Sequence, residues 1–351
     1  MKLGIGILIF NPLDDKFHLE RIKTSLDSFI KAINKSKIDV KLEILLNNSF
    51  IEYVNLYGIG NKTKELVFGY NKYDFINIVE DCWNNSMCIG YNKLFKSLHS
   101  DKSVDFISIF ADDYIVPTNW VNIIVSEFKE NNADFIMPST SYVTHKNLLV
   151  PFKEPKHWNL DIRDNIKVGV KNGVNIDDIN NISDSLQNLK TIDYMPTASF
   201  ESTIFKREIL DKFGYLDDRY FSLFWNQEYI TKLFMNGVKG KISRKAFVFH
   251  YGKGGTTALF NKIGDEKHEN SPFEKYLKSD VDLYNQKNCN KVSYWWLDKT
   301  NSSKKEKALE FNDIVKLIDF YNNKSFIVLK LKLIIKNSFC KFKKWFNYDN
   351  S

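Results

Sequence analysis

The stretch that most limits what this chain can become is residues 2–10, KLGIGILIF, which carries no polar side chain after Lys2. A strand that is apolar on both faces needs cover on both faces, as a central strand of a parallel sheet has. Asn11-Pro12 then breaks the run, and Asp14 and Asp15 are placed to cap the next helix. From Leu19 onward, Ile22, Leu26, Phe29, Ile30 and Ile33 recur at three- and four-residue steps, which is one face of a helix. Strands are expected at 39–46 (DVKLEILL), at 65–69 (ELVFG) and at 105–110 (DFISIF). Between the last two, Met87, Tyr91, Leu94, Phe95 and Leu98 mark another amphipathic helix. Strand alternating with helix is the pattern of an α/β fold, a mostly parallel sheet with helices on both faces.

The second half is less regular. A helix is expected over 118–130, a strand at 134–138, a helix over 226–236 and a strand at 241–249 running into His250. Residues 140–192 are polar and rich in Asn and Asp, and read as long loops around an opening. A linker is expected near 260–275. The chain accordingly divides into 1–115 as a nucleotide-binding half, 116–262 as an acceptor-binding half of the same domain, and 263–351 as an extension.

The formal charge of +7 is concentrated at the end of the chain. From Tyr321 onward there are seven lysines against the single acid Asp349, a net +6, which leaves +1 for everything before it. A near-neutral body argues against nucleic acid as a partner, and a basic end argues for attachment to something anionic. In SFIVLKLKLIIKNSFCKFKKWF, residues 325–346, lysines interrupt an apolar run rich in aromatics. Such a segment can lie in a lipid headgroup layer or dock on the protein itself, and its alternation from Ile327 to Leu333 also suits a strand. Tyr294-Trp295-Trp296 is read as packing for this part of the chain. Cys82, Cys88, Cys289 and Cys340 form no C-x-x-C pair, which argues against structural zinc. The N-terminus lacks the pattern of a signal peptide, and no run of about 18 apolar residues is present, so a cytoplasmic protein peripheral to a membrane is expected.

Ligands on parallel sheets bind beyond the carboxyl ends of the strands, which here are Asn11, Asn47-Asn48 and Asp112-Asp113. Adjacent carboxylates repel unless a cation offsets them. A divalent magnesium or manganese ion bridging a diphosphate would do so, while a plain surface turn or the cap of the 118–130 helix would explain the same two residues. His250 opens YGKGGTT, where glycines permit close approach to phosphate and the imidazole is a possible further metal ligand. Glu228 stands at a helix start, where a carboxylate suits either the helix dipole or the role of a general base.

In order along the chain, these segments resemble the family-two group of glycosyltransferases with the GT-A fold. The resemblance runs from about residue 2 to about 257. It is carried by ISIFADDYIVPTNW, by NNSMCIGYNKLFK with Gly90 and Asn92, by PTASFESTIFKREILDKFGYLDDRYF, and by NQEYITKLFMNG followed by AFVFHYGKGGTT. It implies transfer of a sugar, with inversion, from a metal-bound nucleotide-diphospho-sugar to a glycan or lipid-linked acceptor, in bacterial surface-polysaccharide synthesis. It implies Asp113 and His250 at a divalent cation (Mn2+ or Mg2+), Glu228 as catalytic base, and Asn11, Asn47, Gly90, Asn92 and Asp112 around the donor. Ala111 stands where the family often has Asp or Asn, Asn47 where it commonly has Asp, and Asn226 and Gln227 where it is often acidic; Asp217 and Asp218 are rival bases that read first as turn formers. Two other classes are weighed. One is a GT-A-fold protein that has lost turnover and binds a glycan or partner. The other is a nucleotidyltransferase, disfavoured because Asn11-Pro12-Leu13-Asp14-Asp15 has no glycine-rich phosphate loop.

Overall fold

The structure, a computed structural model, describes residues 1–51, 54–57, 59–84, 86–140, 142–144, 159–161, 174, 176–188, 191–193, 202–222, 224–251 and 274–288. The first half runs β1 (Lys2–Ile9), α1 (Lys16–Asn34), β2 (Asp39–Ile51), β3 (Val54–Tyr57), α2 (Asn61–Phe68), β4 (Ile76–Asn84), α3 (Met87–Ser100), β5 (Phe106–Ala111) and β6 (Tyr114–Ile115). The second runs α4 (Trp120–Asn131), β7 (Phe135–Thr140), β8 (Tyr142–Thr144), β9 (Asn159–Asp161), α5 (Ile176–Ser185), β10 (Ile192–Asp193), β11 (Ile204–Lys206), α6 (Arg207–Phe213), α7 (Trp225–Met235), β12 (Gly240–His250) and α8 (Glu274–Asn288). Strands β8 and β9 pair with each other. The others form one sheet in the order β10-β12-β7-β11-β5-β1-β2-β3, with β4 on β2 and β6 on β12. The long strands are parallel: β1 to β2 and β5, β2 to β4, and β7 to β12. Short β11 lies antiparallel between β5 and β7. The architecture is thus mixed α/β, a mostly parallel sheet flanked by helices.

The first strand shows how the sequence builds the two layers. Leu3, Ile5, Ile7 and Ile9 pack on one face with Ile22, Leu26 and Phe29 of α1 and Trp120 and Ile124 of α4. Leu8 packs on the other, with Tyr91, Leu94, Phe95 and Leu98 of α3. Gly4 and Gly6 share that second face. A Cβ on Gly4 would stand 3.0 Å from Leu98 Cδ2, so the glycines let α3 press onto the strand. Each fully buried Leu, Ile or Phe contributes about 1.5–3 kcal/mol, and the periodicity of α1 and α3 therefore decides where they settle.

Two sequence expectations are corrected. Residues 65–69 end helix α2 and are not a strand. Thr63 and Val67, one turn apart, are its buried residues, and β4 is the strand that comes next. The polar region 140–192 holds more than loops, since α5 lies within it and packs Ile179 into a cluster with Phe247 and Phe249 of β12. Helix α8 begins at Glu274, at the end of the stretch expected to be a linker, and its Val281 and Tyr284 are buried in the main core. The 252–257 loop, the Tyr294-Trp296 cluster and the basic tail lie outside the described residues. Among the described residues no helix is long and apolar enough to cross a membrane.

Candidate functional site

Register sets the first group of residues. Ile9 pairs with Leu46 and Leu8 with Ala111, so the chain leaves β1, β2 and β5 side by side at their carboxyl ends. Asn11, Asn47 and Asp112-Asp113 are thereby brought to one edge, all of them buried. His250 belongs to β12, which β7 and β11 separate from β5 in the sheet. It reaches the edge because β6, the two residues after Asp113, pairs antiparallel with the end of β12, setting Tyr114 opposite His250. The two rings stack, with centroids 4.2 Å apart and planes 6° apart. The Tyr251 N–H donates to the Asp113 carbonyl at 3.0 Å and fixes the turn.

The two carboxylates face different partners. Asp112 Oδ2 accepts the Phe10 N–H at 2.9 Å and lies 3.1 Å from His18 Nε2. It is tied inward, joining the end of β1 to the end of β5. Asp113 Oδ1 lies 3.2 Å from His250 Nε2, yet it is buried without an aligned hydrogen-bond donor. Burial works against the Asp113 carboxylate, but His250, His18 and Arg21 outweigh it and its pKa is lowered. Burial likewise opposes a charged His18, but Asp112 and then Asp113 outweigh it and its pKa is raised. The Arg21 guanidinium sits 5.0 Å from the centroid of the Tyr251 ring.

The residues named for the donor play mixed parts. The Asn11 amide donates to Thr63 Oγ1 at 3.1 Å and its oxygen accepts the Asp15 N–H at 3.2 Å, so the side chain shapes the loop after β1. Asp15 caps α1 by accepting the His18 N–H at 2.8 Å. Asp14 caps α2 instead, accepting the N–H groups of Lys62 at 3.0 Å and Thr63 at 2.8 Å. Gly60 allows this approach, because a Cβ there would fall 2.2 Å from Asp14 Oδ1. Asn47 pairs through its backbone with Asp81. Gly90 lies buried in the first turn of α3, its N–H donating to the Ser86 carbonyl at 3.2 Å. The Asn92 amide is spent on Leu216, donating to its carbonyl and accepting its N–H, both at 3.0 Å.

Asn92 belongs with Glu228 to a second group, built from other elements. The loop 214–222 crosses the start of α3, where the Met87 N–H donates to the Phe221 carbonyl at 3.1 Å. Glu228, in the first turn of α7, is paired with Lys287 of α8. The same ammonium lies 2.6 Å from Asp217 Oδ2. Arg219 closes on Asp217 at 2.8 Å (Nε to Oδ1) and 2.5 Å (Nη2 to Oδ2). Arg219 first, against burial, and then Lys287 hold the Asp217 carboxyl well below its ordinary range. Asp217 is thus an ion-paired residue of this group as well as a turn residue.

Sequence reading missed His18, Arg21 and Lys287. The first two sit in the first two turns of α1 after its capping Asp15, at the end of the helix that faces the strand ends. Lys287 carried no signal, since its partners lie 59 and 70 residues away. Among the described residues no group of three or more His, Cys, Asp or Glu side chains converges as a ready-made metal cage. Asp113 and His250 bring one carboxylate and one imidazole together at 3.2 Å, two donors that could contribute to a divalent-cation site completed by substrate oxygens and water.

No protein-family model matches the chain, and no curated protein does either. Solved structures similar to it include TarS of S. aureus. TarS 1–349 in complex with UDP-GlcNAc has 12% identity and a TM-score of 0.46, over 71% of this chain and 58% of that one. TarS 1–349 in complex with UDP has 11% identity and a TM-score of 0.48, over 91% and 78%. A longer TarS structure has 12% identity and a TM-score of 0.47, over 81% and 44%, so this chain spans less than half of it. At these values the likeness is one of outline.

Proposed function

We propose that this chain is a glycosyltransferase of GT-A type that moves a sugar from a nucleotide-diphospho-sugar to a glycan or lipid-linked acceptor. The observation that carries the reading is Asp113, a buried carboxylate beside His250 at the carboxyl edge of a parallel sheet, one oxygen lacking an aligned donor. The ordered sequence motifs supply the family-two assignment. Asp113 and His250 are the residues that would hold a divalent cation, which would supply charge neutralisation for the nucleotide diphosphate leaving group. Asp112 and His18 keep the ends of β1 and β5 together beneath the donor. Tyr114, stacked on His250, fixes the plane of the imidazole. Glu228 takes the proton of the acceptor hydroxyl as the acceptor displaces the diphosphate with inversion. The basic tail holds the enzyme at an anionic membrane surface where a lipid-linked acceptor is presented, on the cytoplasmic side.

The test is nucleotide diphosphate release from a panel of uridine, guanosine and thymidine diphospho-sugars, with manganese, magnesium or EDTA. Release from one donor is expected, lost with EDTA and reduced about a hundredfold or more in Asp113→Asn. Thermal stabilisation by a donor without release would leave the acceptor as the missing component. Neither release nor stabilisation would overturn the reading and bring forward a glycan- or partner-binding protein on the same fold.

A further inference from the structure

The extension beyond the α/β core reaches into the second group of site residues. Helix α8 is docked on the loop before α7 by contacts of three kinds. The Asp280 carboxylate, 1% exposed, accepts the N–H groups of Phe221 at 2.6 Å and Ser222 at 2.7 Å. Tyr276 stacks on Phe221 at 4.7 Å and Tyr284 on Phe224 at 4.4 Å, and Val281 enters the core. Phe224 has φ 62°, a left-handed backbone that a bulky residue rarely adopts and that surrounding contacts must impose. It stands immediately before Trp225, where the helix carrying Glu228 begins.

Lys287 ends this helix between two acids that come from different elements. Asp217 and Glu228 are each about one-sixth exposed, so water screens their repulsion weakly and a shared cation offsets it. Arg219 answers Asp217 from its solvent side, while Lys287 touches both. Tyr220, whose ring lies 5.6 Å from the ammonium, is buried and its hydroxyl is pushed up first by burial and then by Glu228 and Asp217. Asp280 and Asp218 complete the charged groups around this corner.

We propose that Lys287 is a positioning residue for sugar transfer: α8 clamps the entry to α7, and the Lys287 ammonium, paired with Glu228, holds that carboxylate aimed for proton abstraction. This rests on the transferase reading. On that footing the catalytic unit does not end with β12, and the extension supplies part of the acceptor side.

The experiment compares the full chain with Lys287→Met and Lys287→Arg. Lys287→Met is expected to lower kcat about tenfold or more with donor KM within about twofold. Lys287→Arg, which keeps a cation between the two acids, is expected to restore kcat. Unchanged kcat, a change in donor KM alone, or a loss that Lys287→Arg does not restore would overturn the proposal. If the wild-type chain transfers no sugar, the transferase reading fails, and Lys287 as a positioning residue for transfer fails with it. The clamp alone is then read by carbon NMR of the Asp217 carboxyl. An upward titration shift in Lys287→Met, absent in Lys287→Arg, keeps the charge clamp, and no shift removes that as well.

Discussion

Single side chains in this structure are assigned by partners that the sequence places far away. Asp14 and Asp15 are neighbours with the same chemistry, and both are plausible caps for α1. Asp15 takes that role, whereas Asp14 swings to φ 49° and caps α2, 47 residues later. Burial alone would raise the Asp14 pKa, but hydrogen bonds from Lys62 and Thr63 win and lower it below the ordinary 3.8. A lowered carboxylate pKa stabilises the fold above the unfolded value, and that contribution is lost as pH falls through the folded one. Asp14→Ala is therefore expected to cost about 0.5–2 kcal/mol in urea unfolding at pH 7, and distinctly less near pH 3. The carboxylates at Asp112-Asp113 were legible as a pair of acids at a strand end. Their opposite orientations were not, because His18 and His250 select them from elements 94 and 137 residues distant.

At the scale of elements, long periodic segments read correctly and short ones did not. Helices α1 and α3 and strands β1, β2 and β5 all carry their buried faces in the sequence. ELVFG looks like a strand because it is short, apolar and β-branched. It becomes a helix because Asp14 caps its first turn and Thr63 and Val67 share a buried face. Strand β4 was hidden by the reverse effect. Ile76 and Ile78 alternate with exposed Asn77 and Val79, and the acids after them dilute the apolar signal. Gly-Tyr-Asn at 90–92 was expected near the donor; in the structure the Asn92 amide is committed to Leu216 and couples α3 to the loop before α7. Asn92→Ala is accordingly expected to cost about 1–3 kcal/mol in denaturant unfolding, since it leaves a buried backbone pair unmet. Donor affinity, measured by calorimetry, should stay within about twofold in the same variant.

For the molecule as a whole, the fold class was legible because the alternation of strand and helix runs through the first third of the chain. Val281 and Tyr284 of α8 are fully buried in the core, yet they stand in a sequence whose polar majority suggests a surface segment. Removing residues 274 onward should cost about 3–6 kcal/mol from these two side chains alone, a large part of the stability a domain commonly holds. A chain truncated at 273 is expected to show a clearly lower urea midpoint than the full chain, with a smaller m-value because less surface is left to expose.

Strand β11 bears on how the chain assembles. Among the described residues, its three positions are the link between β5 and β7 in the sheet. Everything on the β1 side of that link is encoded before residue 112, while the link arrives at Ile204 and the strand bearing His250 later still. A chain emerging from the ribosome can therefore assemble its first layer early, but closing the sheet must wait for contacts of high sequence separation, which form slowly. The half-built sheet exposes the β5 edge throughout that interval, and the nascent chain is most vulnerable to wrong pairing before three residues arrive to cover it.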